Sequence, residues 1–258
     1  TSFSNLKATV EVRGNPDARL GYQWLKNDEP IPGAIQDTLA KDHINRGDFI
    51  SLQVWVIQPG SNRNPVTSDV ILIGNTPPAV EWVAIGPAPP TSTAELKAVA
   101  SGKDLDGDPM TFGYEWIVNG ETVVGPEGPS LPNSYFRRGD EVQVAATAFD
   151  GTDWGQPNIS VEVTIQNSPP MIVSKPPAEL EEGSTYRYEI QAEDMDGDTL
   201  SSSLQGKPPE GMVIDPKTGV VEWRVVIPTE PVTYEYYGVV VDPEGGKSVQ
   251  KITLKNAP

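Results

Sequence analysis

Gly21-Tyr22-Gln23-Trp24 returns as Gly113-Tyr114-Glu115-Trp116, and the two copies align without a gap from Gly21 to Asn75 and from Gly113 to Asn167. Inside the repeat, Arg46-Gly47-Asp48 matches Arg138-Gly139-Asp140, and Asn75-Thr76-Pro77-Pro78 matches Asn167-Ser168-Pro169-Pro170. A more divergent third copy follows Pro170, because Ala192-Glu193-Asp194-Met195-Asp196-Gly197-Asp198 echoes the stretch that ends in Asp104-Leu105-Asp106-Gly107-Asp108. Leu254 to Pro258 has the character of another linker. The chain therefore reads as three units, 1–76, 77–168 and 169–258, each burying its own modest core.

Apolar side chains alternate with polar ones in Tyr114/Trp116/Val118, Val142/Val144/Ala146 and Val161/Val163/Ile165, the period of a strand with one buried face. Helical periodicity is absent. The 24 Gly and 26 Pro punctuate these runs, as short strands joined by turns require. Units of roughly 80 to 90 residues built this way have the size of immunoglobulin-like sandwiches. The expected fold is all-β, with three tandem immunoglobulin-like β-sandwich domains arranged end to end. Trp24 and Trp116 are expected between the sheets, as core residues. The paired prolines after Asn75 and Asn167 restrict backbone torsions and predict stiff linkers, hence a rod.

The 36 acidic and 19 basic residues leave a formal charge of −17. Nucleic acid and anionic lipid, whose phosphates need Lys and Arg, are excluded as expected partners; cations are favoured. With no Cys, there is no disulfide staple, thiolate zinc site or nucleophilic thiol. No apolar run reaches the roughly 18 to 20 residues of a membrane span, and the N-terminus lacks the pattern of a signal peptide. The chain begins at Thr1, so processing or the choice of fragment is expected to have removed what came before.

Asp104, Asp106 and Asp108 alternate in a loop closed by Gly107, and Asp194, Asp196 and Asp198 do the same around Gly197. Carboxylates this dense repel one another unless neutralised. Calcium, a hard cation with six to eight oxygen ligands, suits alternating aspartates and loop carbonyls better than magnesium does. An EF-hand is excluded by Pro109 and Thr199 where that loop wants Gly, and by the lack of flanking helices. The bland reading of the same residues is that Asp and Gly make good turns.

A strand ending in Asp-x-Asp, a later strand ending in Asp150 or Asp242, and an Asn-x-Pro linker together resemble the interdomain calcium pattern of cadherin-like repeats. The run Gly211-Met212-Val213-Ile214-Asp215-Pro216-Lys217-Thr218-Gly219-Val220-Val221-Glu222-Trp223 is similar to the dystroglycan-type cadherin-like domains of bacterial surface proteins. The first two units resemble PKD-type or other immunoglobulin-like repeats. The resemblance implies that Asp104, Asp106 and Asp150 with Asn75 clamp calcium between units one and two. Asp194, Asp196 and Asp242 with Asn167 would do so between units two and three. Unit one has Asn15-Pro16-Asp17 in place of the acidic loop and Gln58 in place of Asp150, and the Glu-containing motifs of a full cadherin site are missing.

Thr1 to Ala8 aligns with Thr91 to Ala98, yet unit two places the strand-like Val80-Glu81-Trp82-Val83-Ala84-Ile85 before that point and unit one has no equivalent. A sandwich without its first strand has an open edge prone to strand addition. Three explanations stand: the strand lies upstream of this chain, unit one tolerates its absence, or another molecule donates it.

His43, the only histidine, has no counterpart in the other copy and no nucleophile beside it, and reads as a surface or turn residue. No Ser-His-Asp grouping, metalloprotease motif or phosphate loop occurs. Trp154, among turn formers, is a weak candidate for stacking on polysaccharide, against a packing role. Asn158-Ile159-Ser160 is an N-glycosylation sequon. The expected function is a non-enzymatic, secreted or cell-surface rod, calcium-stiffened, acting as stalk or adhesive component. Its partners would be other surface proteins or copies of itself. A strand-complemented filament subunit and the carbohydrate-binding accessory region of a secreted hydrolase are the alternatives.

Overall fold

The computed structural model describes residues 4–14, 17–58, 64–177, 180–226, 228 and 231–255. Among these there is no α-helix, only two three-residue 3-10 turns, Lys41–His43 and Asn133–Tyr135, and the remaining regular structure is strand. The protein is all-β, with several sheets. Asn15, Pro16 and the last three residues of the expected C-terminal linker lie outside the described residues.

By compactness the chain divides into two units. The first comprises residues 1–84, 99–115 and 144–160; the second comprises 85–98, 116–143 and 161–258, so the second repeat contributes to both.

In the first repeat, Leu20–Lys26 pairs antiparallel with Phe49–Val56, with Trp24 opposite Leu52. Glu29–Pro30 flanks this pair on one side, and Val66–Thr67 and Ile71–Leu72 both join Phe49–Val56 on the other. The facing sheet is small: among the described residues, Leu6–Lys7 pairs only with Thr38–Leu39. The core between them gathers Trp24, Leu39, Ile50, Leu52 and Ile73, with Leu6 and Val54 partly buried at its margin. The second repeat reproduces the larger sheet with Thr111–Val118 and Glu141–Phe149, and its facing sheet has three strands, Ser130–Leu131, Leu96–Lys103 and Ala79–Gly86. In the third repeat, Thr185–Glu189 pairs with Val220–Arg224, and Ser201–Gly206, Thr233–Val241 and Lys247–Lys255 form the opposite sheet. Tyr186, Val221 and Trp223 from the first of these sheets meet Tyr236, Val240 and Leu254 from the second in one core.

Trp24 and Trp116 are both buried, and their indole N–H groups donate to the carbonyls of Gln36 (3.0 Å) and Gly128 (3.3 Å). A buried ring with its one polar atom satisfied is a core residue, as expected. The glycine of the Gly-Tyr-x-Trp stretch is needed for close approach: a Cβ at Gly21 would lie 2.3 Å from the Trp55 ring, and at Gly113 the Trp154 ring stands in the same role at 3.3 Å.

Candidate metal centres

The two acidic clusters share one construction. Asp104 Oδ1 accepts the backbone N–H groups of Asp106 (2.8 Å) and Asp108 (3.0 Å), and Asp194 Oδ1 accepts those of Asp196 (2.8 Å) and Asp198 (3.4 Å). These bonds curl each loop so that Gly107 and Gly197 take positive φ, +84° and +76°. The middle aspartate then reaches the linker. Asp106 Oδ2 accepts the Thr76 N–H at 2.7 Å, and Asp196 Oδ2 accepts the Ser168 N–H at 2.8 Å. From the late strand, Asp150 Oδ2 accepts Asn75 Nδ2 at 2.8 Å, and Asp242 Oδ2 accepts Asn167 Nδ2 at 2.7 Å. Each repeat's end is thus tied to the loops of the next by residues about 30 and 75 positions apart.

A third tie involves residues that the sequence reading used only for alignment. Arg46 pairs through Nη1 with Asp108 Oδ2, and Nη2 donates to Thr152 Oγ1 at 3.1 Å. Arg138 grips Asp198 with both nitrogens, Nη2 to Oδ1 at 2.9 Å and Nη1 to Oδ2, and Nη1 also donates to Asn167 Oδ1 at 2.6 Å. The Arg-Gly-Asp turn presents both side chains in the same way. Gly47 and Gly139 sit at φ +86° and +87°, and their N–H groups bond the carbonyls of Ile73 and Ile165. Asp48 and Asp140 close the turn by accepting the N–H of Asn45 and Arg137, each at 2.7 Å. The signal was present in the sequence: a cation kept in both copies that precede an acidic loop.

Not every oxygen is spoken for. Asp104 Oδ2, Asp194 Oδ2 and Asn75 Oδ1 are buried with no hydrogen-bond partner, and Asp104 as a whole is 9% exposed. A buried carboxylate oxygen left bare costs free energy that a cation would recover. Around Asp194 the geometry goes further, since ligand oxygens of Asp194, Asp198 and Asp242 all lie within 4.8 Å of one another. Among the described residues this is the one such group of three; Asp104, Asp108 and Asp150 do not draw as close. Asp153, unforeseen in the sequence, adds a carboxylate to the first cluster by accepting Asn75 Nδ2 at 2.8 Å.

Electrostatics favour the ionised form of one late-strand carboxylate in each cluster, Asp150 and Asp242. Backbone N–H donation around Asp153 and then the Asn75 amide hold the Asp150 carboxyl below the ordinary range. Burial works against the charge on Asp242, but the Asn167 amide and the backbone of the Glu244-Gly245-Gly246 turn outweigh it, so this carboxyl also lies low. Of the ten residues expected to bind metal, Asp194, Asp198 and Asp242 bring ligand oxygens together; Asn167 and Asp196 beside them, and Asn75, Asp104, Asp106, Asp108 and Asp150 around the earlier loop, are joined to their neighbours by hydrogen bonds or an ion pair.

Trp154 is 56% exposed and stacks at a tilt on Phe149, ring centroids 4.8 Å apart. The same ring also covers Gly113. His43 is exposed in its 3-10 turn. The sequon Asn158 spends its amide on the carbonyls of Val80 and Glu81, at 3.2 and 3.5 Å.

A family model described as "Putative Ig domain" matches residues 169–257. No curated protein matches the chain. Among solved structures, the chain is similar to an ICAM-5 D1–D4 ectodomain fragment, 12% identical over 98% of this chain and 75% of that one, with a TM-score of 0.43. It is also similar to Drosophila N-cadherin EC1–4, 12% identical over 97% and 68%, TM-score 0.28, and to Sidekick-1 immunoglobulin domains 1–5, 15% identical over 97% and 56%, TM-score 0.28. The chain spans little more than half the length of the Sidekick-1 structure. The third repeat is therefore similar to an immunoglobulin-like family, in a chain that is all-β throughout.

Proposed function

We propose that this chain is a non-enzymatic spacer or stalk of a secreted or cell-surface assembly. Its acidic loops take up calcium beside a resident arginine. The observation that carries the reading is the pair of buried, unpartnered oxygens at equivalent positions, Asp104 Oδ2 and Asp194 Oδ2. Asp194, Asp198 and Asp242 would hold the ion in the second cluster, and Asp104, Asp108 and Asp150, with Asn75 Oδ1, in the first. Calcium supplies the concentrated positive charge that several carboxylates need and accepts the many oxygens on offer. Arg46 and Asp108 are both partly exposed, and a pair of that kind contributes about 0–1 kcal/mol, which leaves room for a stronger counter-ion.

The partners of such a stalk are other surface proteins or further copies of itself. A second reading is favoured by Arg138, whose bidentate grip on Asp198 is a fixed counter-ion: the clusters would then be closed by arginine with no ion taken up. One experiment separates the two. With calcium at ~10 mM, suited to modules that bind it at 10⁻⁴–10⁻³ M, the melting temperature should rise. The gain would be about 2.7 kcal/mol at a hundredfold excess over the dissociation constant. Chelation should reverse it. Asp104→Asn with Asp194→Asn, which keep the loop-closing Oδ1, should abolish the response. Superimposable melting curves with and without calcium would overturn the reading.

A further inference from the structure

Leu6-Lys7-Ala8-Thr9-Val10-Glu11-Val12-Arg13 and Leu96-Lys97-Ala98-Val99-Ala100-Ser101-Gly102-Lys103 occupy the same place in their repeats, and the first is the richer in β-branched residues. Yet the second is strand for all eight residues and the first only for Leu6–Lys7. Both begin alike: Ala8 N–H donates to the Asp37 carbonyl at 2.8 Å and Ala98 N–H to that of Pro129 at 2.7 Å. Among the described residues, what the first lacks is the neighbour on its other side, which in the second repeat is Ala79–Gly86.

The consequence is an open margin to an otherwise buried core. Val56 is 41% exposed where its counterpart Ala148 is fully buried, and Val66 is 74% exposed where its counterpart Asn158 bonds the backbone of Val80. Between Ala8–Arg13 and the Phe49–Val56 strand lies an apolar groove of about 590 Å³, floored by Leu52, Val54, Val56 and Ile71. The second repeat shows what fills this position: an extended segment turning Val80 and Val83 inward.

We propose that this groove is a strand-acceptor site for an extended polypeptide with the chemistry of Val80-Glu81-Trp82-Val83-Ala84-Ile85, two inward valines three residues apart followed by isoleucine. The occupant comes from outside these 258 residues. A folded second copy has no such strand to spare, because its own Ala79–Gly86 is engaged beside Leu96–Lys103. Main-chain pairing along Thr9–Val12 provides affinity and the valine pockets provide selectivity. The proposal does not rest on the metal reading.

The test uses the full chain. A labelled peptide of sequence 79–86 should bind saturably by fluorescence anisotropy. Binding should weaken at least tenfold with lysine at both inward valines of the peptide, or with Val56→Lys in the acceptor. A second variant removes the question of affinity: residues 77–90 appended directly before Thr1 reproduce the spacing of the second repeat, since Thr1 aligns with Thr91. In that chain the amides of Thr9, Val10, Glu11 and Val12 should exchange with deuterium at least tenfold more slowly, the melting temperature should rise, and free peptide should no longer bind. Unchanged exchange and melting in the appended chain would overturn the proposal. So would a concentration-dependent dimer of the unmodified chain that protects the same amides, which would assign the groove to a second copy.

Discussion

Leu6 and Leu96 begin the same stretch of two repeats, but Leu96 is 0% exposed and Leu6 is only partly covered at the edge of its core. Their own residues do not cause the difference. Leu96 lies on a strand flanked on both sides, and Leu6 on one that, among the described residues, is flanked by Thr38–Leu39 alone. Strand propensity is largely the fit of a side chain to a pleated, half-buried surface, so residues 8–13 cannot use theirs until something supplies the other half.

Core truncation gives the largest expected effect. Leu96→Ala should cost about 2–5 kcal/mol, the range for emptying a well-packed site, and Leu6→Ala about 1 kcal/mol, because a half-open margin relaxes and loses less burial. Denaturant melts of the two variants check this, and equal losses would break the comparison. Next comes the loop that the first repeat does not share. Asp104→Ala removes the acceptor for two backbone N–H groups and should cost about 1–3 kcal/mol without calcium, while Asp104→Asn, which keeps that acceptor, should cost clearly less.

A smaller effect is expected where the two repeats differ at a single strand position. Asn158→Ala removes the amide that anchors the Ala79–Gly86 strand and should cost about 1 kcal/mol. The reciprocal Val66→Asn in the first repeat, where there is no strand to anchor, should stay within about 0.5 kcal/mol. Hydrogen exchange at Val80 and Glu81 in Asn158→Ala would report the loosening directly.

Acid should act last. The carboxyls of Asp150 and Asp242 lie below their ordinary value of 3.8 in the folded chain, so their contribution is complete above that pH and is lost as pH falls through the lower folded values. Melting temperature should therefore not respond to these groups between pH 7 and 5, and should fall below pH 3.8. Gln58, which replaces Asp150 in the first repeat, cannot titrate there. A decline beginning near pH 6 would point to groups other than these clusters.

Much of this was legible beforehand. Alternation around Trp24 and Trp116 predicted central strands with buried rings, and the spacing of Asp104, Asp106 and Asp108 predicted a tight acidic loop, which Asp104 Oδ1 and the positive φ of Gly107 close. Asp150 and Asp242 were placed beside their linker asparagines through a resemblance to cadherin-like repeats, and the hydrogen bonds are there. Arg46 and Arg138 were missed because their targets, Asp108 and Asp198, lie 62 and 60 residues away and belong to the next repeat. Trp154, a weak ligand candidate on sequence, packs its ring against Phe149 and Gly113 and remains 56% exposed.

The order of residues alone determined the repeats, the all-β class and the positions of the acidic loops, because periodicity, turn chemistry and charge spacing are local properties. Only the tertiary structure decided that an arginine of one repeat closes the loop of the next, that two aspartate oxygens are buried bare, and that residues 8–13 stay outside a sheet. Each of these depends on which distant backbone stands alongside, and Coulomb contact, desolvation and ladder pairing all require a neighbour that is not adjacent in the chain.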